Sequence, residues 1–227
     1  MSARFEPRTT ALSRRSFLLT LGGAGIAVAF GDLASVAHAA AGAGAAGGLT
    51  PNAWVTIEAD GTVNLISPAV EMGQGVKTAL PLLIAEDMDA DWEKVRIVQA
   101  PSDAETYGNP GFYGIQLTGG SETVRGYYQL LRLAGAQTRK VLLAAAATRL
   151  GVPVSELVTE PGRVVHVGSG RSLSYGQIAA TGILPDPLPQ ASEADLKPAA
   201  QWRYIGRHAV DRIDVPSKVD GSARFGI

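Results

Sequence analysis

Residues 71–78, Glu-Met-Gly-Gln-Gly-Val-Lys-Thr, constrain the fold of this chain more than any other segment, because they separate a strand-like run from a helix-like run. The run at 63–67 is β-prone, and the run at 79–87 has helical spacing. Glycines at 73 and 75 let the backbone adopt positive φ and bring its N–H groups close to a ligand. The helix that follows adds the positive end of its dipole. This arrangement predicts a turn that binds an anion.

A second segment of this type, Thr-Gly-Gly-Ser at 118–121, precedes the longest helical stretch of the chain, which we predict to end near residue 149. Its two glycines expose N–H groups, and its hydroxyl groups add further donors. Arg125 follows one helical turn later with a side chain that can reach back toward a phosphate. Taken alone, each turn is also explained by glycines that serve a tight loop without a ligand.

The surrounding sequence predicts an α+β fold, a mixed sheet with helices packed on it. Residues 54–59 alternate apolar and polar side chains, Asp60-Gly61 is a strong hairpin turn, and residues 62–67 supply the returning strand. A further strand is expected at 95–99, after the first predicted helix.

The loop at 100–117 is long for a compact domain, and loops of this length are usually functional. It carries three aromatic residues, Tyr107, Phe112 and Tyr113. These side chains either line a pocket or pin the loop to the core, and the sequence leaves both roles open.

The N-terminus has the features of an export signal. Arg14-Arg15 is followed by an apolar run at 17–30 and by Ala37-His38-Ala39, which together are typical of a twin-arginine signal peptide with a small-x-small cleavage site. The apolar run is shorter than the roughly 20 residues that span a bilayer as a helix. We therefore predict a periplasmic protein, associated with the inner membrane only through partners, and an uncleaved membrane anchor is the alternative.

Composition divides the chain into five parts. Residues 42–47 match G-x-G-x-x-G literally, but no strand precedes them and Pro51 follows where a dinucleotide site requires a helix. We interpret this stretch as a flexible Gly/Ala linker. The predicted parts are a signal peptide at 1–39, the linker at 40–50, a cofactor-binding half-domain at 51–153, a small satellite α/β unit at 154–182, and a linker that enters a following domain at 183–227.

Charge and composition exclude several classes of function. With 20 basic and 21 acidic residues, the chain lacks the basic surplus of a nucleic-acid-binding protein. It contains no cysteine, which excludes disulfides, iron–sulfur ligation and a cysteine nucleophile in this chain. Its three histidines are far apart and lack ligand spacing, so no metal-ligating residue is predicted. His166 lies in a strand pattern and is expected to be structural.

Five motifs in a fixed order resemble the molybdopterin-binding large subunit of the molybdenum hydroxylases, the superfamily of xanthine dehydrogenase and aldehyde oxidoreductase. The motifs are the Asp60-Gly61 hairpin and residues 71–75, 85–89, 107–110 and 118–126. The chain is most similar to the N-terminal portion of this subunit in the exported branch, which includes isoquinoline oxidoreductase and membrane-associated aldehyde dehydrogenases. In that branch a twin-arginine signal precedes the same motifs.

The resemblance implies molybdenum bound through a pterin dithiolene, including its cytosine dinucleotide form. It also implies oxidation of an aldehyde or an electron-poor heteroaromatic substrate with oxygen derived from water. Electrons would leave through an iron–sulfur small subunit and a cytochrome c subunit. Carried over residue by residue, the cofactor contacts are Met72, Gly73, Gln74, Gly75, Thr118, Gly119, Gly120 and Ser121.

The sequence also departs from the family pattern. The family's large subunit is much longer, and its GGGFG segment and the catalytic glutamate of its GxGE motif are absent here. Glu71, Glu86 and Glu122 lie beside the motifs, but none has that context, so no catalytic residue is assigned. We expect part of a split or truncated subunit that is inactive without the remainder of the large subunit. The alternatives are a truncated remnant or periplasmic interaction module without cofactor, and a glycine-turn binder of nucleotides or sugar phosphates.

Overall fold

The structure, a computed structural model, describes residues 48–207 and 210–224. The predicted export signal at 1–39 and most of the predicted linker at 40–50 lie outside the described residues. Among the residues that are described, no helix has both the length and the apolar character needed to cross a membrane.

The larger of two sheets has four strands in the order β1-β2-β3-β4, and it is mixed, as predicted. The first three strands are antiparallel neighbours, whereas β4 runs parallel to β3. The Asp60-Gly61 turn joins β2 to β3 as predicted, with Gly61 at a φ of 92°. The strands are β1 Gly48–Asn52, β2 Val55–Glu58, β3 Val63–Ser67 and β4 Val95–Gln99.

Residues 48–50 differ from the predicted linker, because they form the beginning of β1. Leu49 is buried and pairs with Ile57 of β2. The flanking glycine and alanine residues give no alternation of apolar and polar side chains, so the local sequence does not indicate this strand.

Two long helices pack against each other beside this sheet: α1, Val76–Met88, and α3, Thr123–Leu150. A short helix, α2, lies between them at Ala104–Tyr107. The contact between α1 and α3 is closest at Gly135, where an added Cβ would lie 2.4 Å from the Ile84 carbonyl oxygen. The two helices can approach this closely only because residue 135 has no side chain. α3 ends as predicted at Gly151, which adopts a φ of 67°.

The aromatic residues of the loop at 100–117 differ in their burial. Tyr107 is buried, and its ring packs edge-to-face against Trp54 with 5.1 Å between ring centroids. Tyr113, by contrast, is 98% exposed. Of the two roles that the sequence leaves open, Tyr107 therefore pins the loop to the core.

The predicted satellite unit forms a second, three-stranded antiparallel sheet followed by a short helix, α4. Ser174 caps α4 through a complete capping box. His166 is structural, with Nε2 2.8 Å from the Glu156 carboxylate. The unit shares one hydrophobic core with the larger sheet through Leu157 and Tyr175. Its elements are β5 Leu157–Glu160, β6 Arg163–His166, β7 Ser172–Ser174 and α4 Tyr175–Ala179.

Residues 183–205, predicted to be part of a linker, are instead docked on α1 and α3 by buried charged groups. The Lys197 ammonium donates to Asp89 at 2.6 Å and to Glu86 at 3.1 Å. Asp87 accepts the Lys197 backbone N–H at 2.8 Å and pairs with Arg132 of α3 at 2.6 Å. The carboxylate of Glu86 also accepts the backbone N–H groups of residues 203–205. These contacts join the segment to acidic residues more than a hundred positions earlier, so local composition does not predict the docking.

The described residues of the tail, 202–207 and 210–224, contain a short helix, α5, at Val215–Val219. No strand forms among these described tail residues. Pro216 at the start of α5 fits the first turn of a helix and has no N–H to contribute to a sheet.

Candidate functional site

The two glycine turns that the sequence singles out lie side by side in the structure. The backbone N–H of Val70 donates to the Thr118 hydroxyl at 3.0 Å, which joins the segments across 48 residues of sequence. The first turn leads from β3 into α1, and the second leads directly into α3. The structure thus brings residues 72–75 and 118–121, the predicted cofactor contacts, to one surface at the beginnings of two packed helices.

The first turn is closed by a carboxylate of its own chain. Glu71 Oε1 accepts the N–H of Gly73 at 2.7 Å and the N–H of Gly75 at 2.9 Å, and Oε2 accepts the N–H of Lys77 at 3.0 Å. Both glycines adopt positive φ, 103° and 88°, as the turn requires. The N–H groups that the sequence predicts to meet an external anion are therefore occupied by Glu71 in this conformation.

Gln74 folds back on the same turn. Its side-chain oxygen accepts the Met72 N–H at 2.5 Å, and its Nε2 donates to the Val70 carbonyl at 2.9 Å. The side chain of Met72 stands outside the turn and is 67% exposed. The turn consequently presents an amide and a thioether to its surroundings rather than free backbone donors.

Backbone hydrogen bonds stabilise the ionised form of Glu71. Burial would raise the pKa of Glu71, but the N–H groups of Gly75, Lys77 and Gly73 outweigh it and hold the pKa below its ordinary value. Arg212 also approaches, with Nη2 3.5 Å from Glu71 and Nη1 donating to the Gly73 carbonyl at 2.9 Å.

Arg212 is itself held in place by Asp214. Its Nε and Nη2 donate to the two carboxylate oxygens of Asp214 at 3.0 and 2.8 Å, a bidentate pair. Hydrogen bonds from Arg212 and Lys218 hold the pKa of Asp214 far below its ordinary value. Arg212, which the sequence analysis does not single out, thus connects the tail of the chain to the first turn.

The second turn differs from the first because the backbone N–H groups at the start of its helix are not bonded to a carboxylate. Gly120 and Ser121 both adopt positive φ, 56° and 58°. Within the part of the chain that the structure describes, the N–H groups of Thr123, Val124 and Arg125 have no acceptor, and no side chain caps α3. These are the unpaired donors of a helix N-terminus, available to an anionic ligand.

The surroundings of the second turn keep this space free. A Cβ added at Gly119 would have no neighbouring atom within 4 Å, so the turn faces open space at that residue. The Glu122 side chain points to Arg125, with 2.7 Å between the charged groups, and leaves the N–H groups unoccupied. Arg125 is therefore engaged with Glu122 in this conformation rather than directed toward the turn.

The loop before the second turn holds it in place. The buried Asn109 accepts the Gly111 N–H at 2.9 Å and lies against Gly126, where an added Cβ would be only 1.8 Å from Asn109 Oδ1. The ring of Phe112 lies under Gly120, 3.0 Å from the position of an added Cβ. Close packing at these glycines explains why the loop and the start of α3 carry recognisable motifs.

Several clefts lie on the described surface, and two of them are lined by more than one basic residue. One, of about 600 Å³, adjoins the first turn, and its basic lining residues are Lys77, Lys218 and Arg224. The other, of about 630 Å³, lies away from both turns between α3, β5 and residues 194–203. Its basic groups Arg139 and Lys197 bond to carbonyl and carboxylate oxygens of the protein itself, so we assign no ligand to it.

The donors at the two turns fit a phosphate-bearing pterin. The backbone N–H groups at the start of α3, the Thr118 and Ser121 hydroxyls and the Gln74 amide are hydrogen-bonding groups of the kind that recognise phosphates and the polar edge of a pterin. Among residues 48–207 and 210–224, no three His, Cys, Asp or Glu side chains are arranged as metal ligands.

Comparison with known proteins confirms the resemblance seen in the motifs. The family model of the molybdopterin cofactor-binding domain matches residues 11–218. The beta subunit of isoquinoline 1-oxidoreductase from Brevundimonas diminuta is 39% identical over 97% of this chain and 32% of its own length. Membrane-bound aldehyde dehydrogenase (pyrroloquinoline-quinone) of Gluconacetobacter polyoxogenes is 35% identical over 95% of this chain and 27% of its own length.

A third relative, one of the subunits of nicotinate dehydrogenase from Pseudomonas putida, is 31% identical over 76% of this chain and 14% of its own length. The chain therefore spans a third or less of the length of these curated relatives. Since the family model covers most of its residues, the chain belongs to the molybdopterin cofactor-binding domain family of the molybdenum hydroxylases.

Proposed function

We propose that this chain is the cofactor-contacting part of an exported molybdenum oxidoreductase that acts on aldehydes or N-heteroaromatic compounds. The observation that carries the proposal is the pairing of the two glycine turns, joined by the Val70–Thr118 hydrogen bond at the beginnings of α1 and α3. Family membership supports molybdopterin as the ligand of this surface. The names of the relatives, which include an isoquinoline oxidoreductase and an aldehyde dehydrogenase, support the two substrate classes.

The second turn is the proposed phosphate site. The free N–H groups at the start of α3 and the hydroxyls of Thr118 and Ser121 would hold the phosphate, and Gln74 and Met72 of the first turn would contact the pterin side. When bound, the cofactor supplies two-electron oxidation with oxygen taken from water. This chain binds and orients it, and we assign no catalytic residue here.

The cytosine dinucleotide form of the cofactor is also part of the proposal. The cleft of about 600 Å³ beside the first turn has room for a ligand that extends beyond the pterin. Lys77 and Arg224 at this cleft would complement the charge of a second phosphate, whereas Lys218 is paired with Asp214.

The complete enzyme would include further polypeptides. The name of the relative from Brevundimonas describes it as a subunit, which supports an assembly of several chains. An exposed apolar surface beside the turns supports a covering polypeptide, the remainder of the large subunit. Its residues are Val70, Met72, Tyr113, Ile115 and Leu117. We further propose an iron–sulfur small subunit and a cytochrome c subunit as electron acceptors, and the Arg14-Arg15 signal supports a periplasmic location.

The proposal is tested by expressing the full chain, with its signal, in its own host and measuring molybdenum and pterin in the purified material and its companions. Gly119→Leu is the diagnostic variant, because a Cβ at this position has no neighbouring atom within 4 Å and the longer side chain would fill the open space at the second turn. We expect Gly119→Leu to lose most of the cofactor, whereas Gly119→Ala, the matched control, retains more of it. Wild-type chain that is purified with its companions but without molybdenum or pterin would contradict the proposal and favour a non-catalytic remnant.

A further inference from the structure

The conformation of the first turn depends on one partly buried carboxylate. The Glu71 side chain is 13% exposed, and its two oxygens accept three backbone N–H groups spread over residues 73–77. Gly73 and Gly75 have positive φ and carry no side chain that could fix the turn by packing. A segment with this much backbone freedom needs another constraint in order to hold one shape.

Gln74 cannot supply that constraint by itself. Its two hydrogen bonds, to the Met72 N–H and the Val70 carbonyl, lie within the five residues 70–74. Hydrogen bonds to an ionised carboxylate are roughly twice as strong as those between neutral groups. The three bonds to Glu71 therefore contribute most of the local restraint, and one of them satisfies the N–H group of Lys77 in the first turn of α1.

The tail of the chain secures this carboxylate from the other side. Arg212 reaches Glu71 at 3.5 Å and the Gly73 carbonyl at 2.9 Å. The next residue, Ile213, donates its N–H to the Thr78 hydroxyl at 3.1 Å, so the backbone of residues 212–214 lies along the start of α1. The guanidinium also lies over Gly75, where an added Cβ would be 3.7 Å from Nε.

We propose that Glu71 and Arg212 form a clamp that sets the shape in which the first turn presents Met72 and Gln74 to the cofactor. Both are positioning residues, since they act through the turn. This inference rests on the proposed function for the identity of the ligand. It adds the requirement that residues 212–214 be docked on the first turn for the cofactor to bind.

The test compares Glu71→Gln with Glu105→Gln, a change of the same charge at an exposed residue of α2. The full chain is produced in its own host and isolated with its companions. Two quantities are measured, pterin bound per chain and hydrogen exchange of the backbone amides at residues 73–77. In Glu71→Gln we expect exchange at these residues to accelerate about tenfold or more through loss of a charged acceptor, and pterin content to fall severalfold. Glu105→Gln should match wild type in both.

Arg212→Gln provides a second variant if Glu71→Gln fails to fold, with the exposed Arg207→Gln as its control. Loss of pterin in Arg212→Gln, but not in Arg207→Gln, would support the clamp. Wild-type exchange in both clamp variants would overturn it, as would faster exchange with unchanged pterin content. If the wild-type protein carries no pterin, the proposed function fails, and the exchange measurement alone still decides whether the clamp shapes the turn.

Discussion

The two glycine turns both precede a helix, but they differ in whether a carboxylate already accepts their backbone N–H groups. In the first, Glu71 fills the hollow formed by the backbone N–H groups, whereas in the second the N–H groups at the start of α3 have no acceptor among the described residues. The difference comes from where the nearest acidic residue lies. Glu71 precedes its glycines and folds over them, but Glu122 follows its glycines and turns outward to Arg125. A glycine turn before a helix is therefore an anion site only when no carboxylate of its own chain reaches it.

This difference predicts that the two turns contact the ligand in different ways. The second can accept a phosphate without displacing any group, while the first would have to release a carboxylate that is bound by three N–H groups and an arginine. We therefore expect phosphate at the second turn, and contact through side chains at the first. Substitutions at both turns would contradict or refine this division.

The largest effect is expected at Gly126, which supports the open turn from behind. In Gly126→Ala the new methyl group would overlap Asn109 Oδ1, 1.8 Å away, and would crowd the Gly111 N–H at 3.0 Å. Because the loop must move, we expect the free energy of unfolding to fall by about 3 kcal/mol, at the upper end of the cost of overpacking. Chemical denaturation measures this change. Gly119→Ala, in open space, is the control, and an equal loss in both variants would show that the loop does not brace the turn.

A smaller effect is expected if the second turn is made to resemble the first. Leu117 stands two residues before Gly119, as Glu71 stands two residues before Gly73, and it is half-exposed. In Leu117→Glu the new carboxylate would compete for the N–H groups of α3, with an interaction of about 1 kcal/mol at a helix N-terminus. We expect the affinity for pyrophosphate, measured by titration calorimetry, to fall about fivefold.

Leu117→Gln separates charge from shape in that experiment, because it has the same size as glutamate and no charge. Its affinity for pyrophosphate should stay near that of wild type. If Leu117→Gln loses as much affinity as Leu117→Glu, the apolar side chain itself contacts the ligand, and the internal competition inferred from Glu71 does not apply.

The stability that Glu71 contributes through the first turn should depend on pH. The pKa of Glu71 is lowered in the folded protein from its ordinary value of 4.5. Its contribution to stability is therefore fully present above pH 4.5 and is lost as the pH falls through the lower, folded pKa. We expect the difference in unfolding free energy between wild type and Glu71→Gln to be constant from pH 7 to about 5 and to shrink in more acidic solution. A difference that grows on acidification would mean that the carboxylate is not stabilised in its ionised form.

Local signals predicted the elements around both turns. Asp60-Gly61 specified the hairpin and Gly151 specified the end of α3, because each acts on its immediate neighbours. The placement of residues 72–75 and 118–121 at helix N-termini followed in the same way. Their occupation by a cofactor stays a prediction.

Long-range polar contacts could not be predicted from the local sequence. Nothing in the proline-rich sequence of 183–201 indicates that Lys197 is buried against Glu86 and Asp89, since those partners lie more than a hundred residues earlier. Arg212 reaches the first turn across a similar separation. The role of Glu71 did have a local signal, an acidic residue shortly before glycines that open a helix, which is the position from which a carboxylate can cap the first turn.

The smallest effect is expected at Arg125, whose side chain is 78% exposed and pairs with Glu122 at 2.7 Å. A pair this exposed contributes about 0.5 kcal/mol or less to stability, so Arg125→Ala should unfold almost as wild type does. Its effect on the open turn should nevertheless be detectable, because Arg125 holds the Glu122 carboxylate away from the N–H groups of α3. We expect Arg125→Ala to weaken pyrophosphate binding slightly, and Arg125→Ala with Glu122→Gln to restore it. If the double variant binds as weakly as Arg125→Ala, the guanidinium contacts the anion directly, and the second turn relies on a side-chain cation as well as on its backbone.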